Sequence, residues 1–282
     1  MEPAPDRRSE WFVPQFGPLK FRLWIGLLFL PYTGMVLAFT VIGGMLAETV
    51  FWDRVGAIVL VYFLGLGIAA HAVDAIGSKG PKPWGEHFSK RQLWTLAVGS
   101  LIPPYGIAIY YGVLATPQLL VIAVIEGFFL FAYNLELFEG RFHTDGWFAF
   151  SWGVLPVLAG YVIQTNRISP LALIVAGAMG LFSLVEINAS RPYKELKRSG
   201  RLDPAHHQDR YEAILKCISL GVMLLAAGMV TWRLVGIIKE LLRIPINLAS
   251  VMVESPFRLC TSRDSHRQPS HNALQRALSL RR

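Results

Sequence analysis

The chain has 282 residues, of which 53% are hydrophobic and 16% charged, and it carries a net charge of +8. A water-soluble domain has about 25% charged residues, and here the apolar residues arrive in long blocks rather than in alternating or amphipathic patterns, which excludes a soluble all-helical protein. The excess positive charge lies in loops and in the C-terminal tail, where it orients helices and meets anionic headgroups, so no nucleic-acid partner is implied.

Residues 1–20 are polar and Pro-rich and form an N-terminal cytoplasmic segment. The first apolar run is too long for a leader and lacks a small-residue cleavage site, so no cleavable signal is expected. A hydrocarbon core of about 30 Å needs about 20 apolar helical residues to span it. Seven stretches meet that need: 21–46, 55–76, 93–113, 118–137, 147–164, 170–188 and 213–237. The predicted fold is therefore all-α, a polytopic transmembrane helical bundle over 21–237. Basic residues cluster in alternate loops, including Lys79, Lys82, Lys90 and Arg91 after the second span and Arg191, Lys194 and Lys197 after the sixth. The intervening loops hold only Arg54 and Arg167. By the positive-inside rule this is a multi-pass membrane protein with a cytoplasmic N-terminus. The basic tail breaks the alternation. Residues 238–254, with Pro245 and two central charges, read as an interfacial or re-entrant segment, and 255–282 as a disordered basic tail. Two cysteines give no disulfide framework; Cys217, in an apolar helix, reads as a small core residue.

The polar residues of interest sit at helix ends. The second span ends in Ala70-His71-Ala72-Val73-Asp74, and His71 and Asp74, three apart, share one helix face. A carboxylate and an imidazole at that depth need partners or water; a cation site and a helix-end pair facing headgroups both satisfy that need. The loop Lys79-Gly80-Pro81-Lys82-Pro83 follows, with two lysines suited to an anion such as a diphosphate, or serving simply as positive-inside charge. Ser89 is placed to cap the third span. The fourth span ends in Tyr133-Asn134-Leu135-Glu136, with Arg141 and His143 just beyond; Asn134 and Glu136 need partners. In the fifth, Trp152, Gly153, Pro156 and Gly160 predict a kinked, closely packed helix. The sixth ends in Glu186-Ile187-Asn188-Ala189-Ser190-Arg191, with Lys194 following. Two helix ends on one side of the membrane thus each carry a carboxylate followed by cations, a combination that suits Mg²⁺ and a diphosphate.

On these residues the chain resembles the UbiA-type superfamily of intramembrane prenyltransferases, over roughly 21–237. The order of helices and loops, the Asp74 end of the second span, the Tyr133 end of the fourth and the Gly153–Pro156–Gly160 pattern carry the likeness. The first Asp-rich motif of the family falls on Ala70, His71, Asp74 and Ser78, and the second on Glu186, Asn188 and Ser190; Leu137 and Phe138 stand where the family has a basic pair. The resemblance implies transfer of an isoprenoid chain from a prenyl diphosphate to an aromatic or lipid acceptor, assisted by Mg²⁺. Asp74 and Glu186 would be the catalytic carboxylates and, with His71 and Asn188, the metal ligands. Lys79, Lys82, Tyr133, Asn134, Arg141, Trp152, Arg191 and Lys194 would bind substrate. The alternative is a non-catalytic lipid- or quinone-binding membrane protein, or a small transporter.

Overall fold

The computed structural model describes residues 10–77, 87–199 and 206–253, with side chains described except at 198–199 and 243–253. The described residues are 84% helical, with no strand among them. It divides into Met1–Val235 and Gly236–Arg282. The second unit is helical to Val253 where described, so the stretch read as interfacial or re-entrant is a helix over those residues; the tail from 254 onward lies outside the described residues.

The helices in chain order are α1 (Leu19–Leu28), α2 (Leu30–Met45), α3 (Trp52–Tyr62), α4 (His71–Gly77), α5 (Lys90–Leu114), α6 (Gln118–Asn134), α7 (Asp145–Ala149), α8 (Leu155–Thr165), α9 (Pro170–Ser199) and α10 (His207–Val253). Two π-helical segments, Phe63–Ala70 and Phe150–Val154, join α3 to α4 and α7 to α8. Among the described residues, five helices are long and apolar enough to cross a membrane: Trp52–Gly77, Lys90–Leu114, Asp145–Thr165, Pro170–Lys197 and His207–Leu242. The first apolar run is a bent pair, α1 and α2 meeting at 41°, because Phe29 between them takes the left-handed conformation (φ 48°). α6 has 17 residues, about 25 Å at 1.5 Å per residue, shorter than the other five.

Two ends differ from the sequence reading. The fourth span stops at Asn134, not at 137. Leu137 N–H bonds the carbonyl of Ala132 at 3.0 Å, and Glu136 N–H that of Tyr133 at 3.2 Å. With Glu136 left-handed at φ 50°, this is a Schellman stop built on glutamate instead of glycine. The sixth span runs on through Pro192 to Ser199, so Arg191 and Lys194 lie on helix rather than in a loop. The continuation is anchored from its side chains: Lys197 Nζ bonds Tyr193 Oη at 2.9 Å, one turn away, and Glu10 at 3.1 Å. Cys217 is exposed on α10, not part of the core, because that helix meets the bundle with a narrow face only. Ser89 caps α5 as the sequence reading places it, in a reciprocal capping box with Gln92.

The core centres on α2 against α8. A Cβ on Gly43 would strike the carbonyl oxygen of Val157, and one on Gly160 the carbonyl oxygen of Thr40. Only glycine lets these backbones approach so closely. Met35, Phe39, Ile42, Val157 and Ile163 are fully buried around the crossing. The end of the bundle where α2 and α8 terminate is tied down by side chains that satisfy loose backbone groups. Gln164 accepts from Phe51 N–H (2.8 Å) and donates to its carbonyl (3.1 Å). Arg54 donates to the carbonyls of Ile163 and Gln164 at the end of α8. Arg233 of α10 donates to Met45 (2.7 Å), Ala47 and Glu48 at the end of α2. The opposite end carries the polar side chains described next.

Candidate functional site

The continuation of α9 decides what faces inward. Ser183, Glu186, Ser190, Tyr193 and Lys194 stand at i, i+3, i+7, i+10 and i+11 of one helix and form a single stripe. The first four are buried and Lys194 is half-buried. A cavity of about 30 Å³ lies against this stripe, lined on its far side by Phe29, Tyr32 and Met35. Glu10, Trp11 and Phe12 also line it. They are held by three contacts: Glu10 accepts from Tyr193 Oη at 2.9 Å, Trp11 lies under Lys216 Nζ (5.2 Å from the ring centroid), and Phe12 packs edge-on to Phe29.

Tyr32 of α2 is the hub. Its ring lies 5.4–6.4 Å from those of Phe29, His71, Phe148 and Trp152, within the range of aromatic contact. Its hydroxyl lies in the electrostatic field of Glu186, Tyr133 and Asp74. His71 and Asp74 reach this point because the π-helical turn Phe63–Ala70 rotates α4 relative to α3; His71 is fixed by a 2.9 Å hydrogen bond between Nδ1 and the carbonyl of Gly67. The second π-helical turn sets Trp152 in the same cluster. It also absorbs Pro156, which follows it in the first turn of α8, where a missing N–H costs little.

Tyr133 closes the other flank. It stacks on His143 (4.4 Å, 29°), and His143 Nδ1 bonds Tyr133's own carbonyl at 3.0 Å. The intervening loop holds Glu136, Phe138 and Glu139 at positive φ, each costing about 1–2 kcal/mol. Such strain concentrates where a side chain must be presented in a fixed way. Arg191 hydrogen-bonds Tyr133 and pairs with Asp145 at 2.6 Å. Lys194 acts on Glu186 electrostatically and lies 4.9 Å from the Phe29 ring centroid. Four buried polar atoms in this region have no hydrogen-bond partner among the described residues: Tyr32 Oη, Trp152 Nε1, Ser183 Oγ and Glu186 Oε2. Buried polar atoms are nearly always paired, so four close together mark a place built to meet something polar.

The sequence-predicted residues thus separate. Asp74, His71, Glu186, Tyr133, Trp152 and Lys194 lie around Tyr32, whereas Arg191 is exposed and reaches Tyr133 and Asp145 instead. Asn188 does not join them: it is exposed and donates to its own helix at Leu184 (2.8 Å), because two residues beyond Glu186 is the opposite side of an α-helix. Asn134 is buried but spends its amide on Leu130 (2.7 Å), with Gly77 packed on its carbonyl. Arg141 is exposed. Lys79 and Lys82 lie outside the described residues. Among the described residues no three His, Cys, Asp or Glu side chains gather as a metal-binding group.

Sequence reasoning missed Tyr32, Phe29 and Phe148, which look like ordinary bilayer residues and matter only through packing. It also missed Glu126, for which a signal existed: the sole charge in the apolar run 118–135. Glu126 accepts from Tyr62 Oη at 2.7 Å beside a separate cavity of about 70 Å³. Comparison with protein-family models, with curated proteins and with solved structures finds no match.

Proposed function

We propose that this chain is an integral membrane prenyltransferase, a divergent UbiA-like protein with seven spans and its polar end on the cytoplasmic side. The observation that carries the reading is that Asp74 and Glu186, 112 residues apart in sequence, both act on the hydroxyl of one buried tyrosine, with Lys194 acting on Glu186 and Arg191 on the neighbouring Tyr133.

Asp74 and Glu186 offer carboxylate oxygens only, one of them without a partner, which fits a hard cation. Mg²⁺ is commonly held by one or two carboxylates while water and substrate phosphate fill its remaining positions. Bound there, Mg²⁺ would neutralise charge on a diphosphate. Lys194 and Arg191 add fixed positive charge where the leaving group's negative charge grows, the largest lever on such an ionisation. Tyr32, Tyr133, Phe148 and Trp152 turn π faces and edges toward the same region and can shield an allylic cation from water. The prenyl tail would run among the apolar side chains of the bundle, and the acceptor is an aromatic or lipid nucleophile.

The test is transfer of label from a radioactive prenyl diphosphate in membranes holding this protein, with Mg²⁺ and a panel of benzoate-like, naphthoate-like and tetrapyrrole acceptors. Transfer is expected, and D74N and E186Q should each lower it about 10²-fold or more with expression unchanged. No product from the unaltered protein with any acceptor refutes the reading. One observation favours a second: the cavity at Glu186 is too small for a diphosphate as it stands. A non-catalytic lipid- or quinone-binding protein would retain a bound isoprenoid through purification, without turnover and with no dependence on Asp74.

A further inference from the structure

Glu126 is the ninth of the 17 residues of α6, at the helix midpoint. If α6 spans the bilayer, that is the most expensive depth for a carboxyl, and side chains found there mark ion, proton or ligand sites. One of its oxygens accepts from Tyr62 Oη on α3. Tyr105 on α5 lies in its field and, at 37% exposure, stands at the edge of the half-open cavity of about 70 Å³ between α3, α5 and α6. The remaining walls are apolar, with Ala159 and Ile163 from α8 and Gly65 and Leu66 from the π-helical turn. No Lys, Arg or His lines it. Among the described residues, Tyr62 and Tyr105 are therefore the only titratable groups facing Glu126 from the elements around the cavity, and neither brings a positive charge.

We propose that this cavity is a binding site for a lipophilic ammonium ion, taken up from the bilayer by Glu126 in exchange for a proton. A carboxyl in apolar walls with no cationic neighbour is neutralised either by a proton or by a cation that enters. Tyr62 occupies one oxygen and so fixes the carboxyl's orientation, leaving the other for the ligand. The size selects the ligand's shape: about 70 Å³ is half of the roughly 150 Å³ cavity that holds a benzene ring, so a narrow ammonium head enters and an aromatic cation does not. The alkyl chain lies along the apolar walls toward the lipid. The exchange balances. The ammonium arrives charged, the carboxyl proton leaves to bulk water, and the occupied site is neutral overall. The site is independent of the Asp74–Glu186 reading and stands or falls separately from it.

The experiment uses the full chain in nanodiscs of uncharged lipid, with radiolabelled dodecylamine as probe and dodecanol as its neutral counterpart. Saturable amine binding is expected, with release of about one proton per amine in weak buffer, weakening as pH falls. E126Q should bind at least about tenfold more weakly and release no proton. Y62F should weaken binding while keeping proton release. Should E126Q not fold, A123L, which fills the cavity from its wall, is expected to block binding in its place. Dodecanol binding as well as the amine, binding unchanged in E126Q or A123L, or binding without proton release each overturns the proposal.

Discussion

Replacing Gly43 or Gly160 by alanine tests the packing on which the site rests. At Gly43 the new methyl would lie 2.8 Å from the carbonyl carbon and 3.0 Å from the Cα of Val157; at Gly160, 2.9 Å from the carbonyl carbon of Thr40 and 3.1 Å from Gly44 N. Ordinary carbon contact begins near 3.5 Å, so α2 and α8 must separate by at least about 0.7 Å. The obstacle is backbone on a helix, which cannot rotate aside as a side chain can. Overpacking costs about 1–3 kcal/mol, and rigid backbone puts these sites at the top of that range. Alanine returns up to about 1 kcal/mol of helix propensity, leaving about 2 kcal/mol of net loss for each variant. Gly99→Ala is the internal control: its methyl would meet nothing within 4 Å, so it keeps the propensity gain alone. The contrast between the two kinds of site is therefore about 3 kcal/mol, read by thermal unfolding of the purified protein in one detergent. The double variant G43A/G160A should cost less than the sum, because both clashes are relieved by one separation of the same helix pair. If Gly43→Ala and Gly160→Ala unfold at or above the temperature of Gly99→Ala, the close crossing of α2 and α8 is wrong.

Arg233→Ala removes the guanidinium that satisfies three carbonyls at the end of α2 and should lower stability by about 1–2 kcal/mol, measured in the same unfolding assay. Gln164→Leu leaves the Phe51 N–H and carbonyl without their partner and should cost about 1–3 kcal/mol; an unchanged midpoint would sink that assignment. Arg191→Ala strips Asp145 and Tyr133 of a shared cation. In the transfer assay it should slow product formation about tenfold or more, with little change in unfolding because the ion pair is half exposed. Arg191→Lys should recover only part of the loss, since a lysine cannot serve two partners with a planar fork.

Much of the architecture was written in local sequence. Blocks of apolar residues can be satisfied only by helices in lipid or by burial, so an all-helical chain with several long apolar helices follows from composition and length alone. Ser89 announced a helix start, and Gly160 a closely packed helix, while its counterpart Gly43 is marked only by the crossing itself. Asp74 and Glu186 stood out because carboxylates are rare in apolar runs. The fold decided what these residues face. That α9 runs on past residue 188, and that Glu10 meets Tyr193 and Lys197 at its end across 183 and 187 residues of sequence, is encoded by no local pattern; the continuation carries Ser190 and Lys194 onto the face of Glu186. Tyr32 is one aromatic among many until four elements place their rings around it. Composition reports what a chain must hide from water, a sum over residues. A site depends on where side chains meet, and that is set by contacts between segments whose spacing along the chain carries no information about their distance in space.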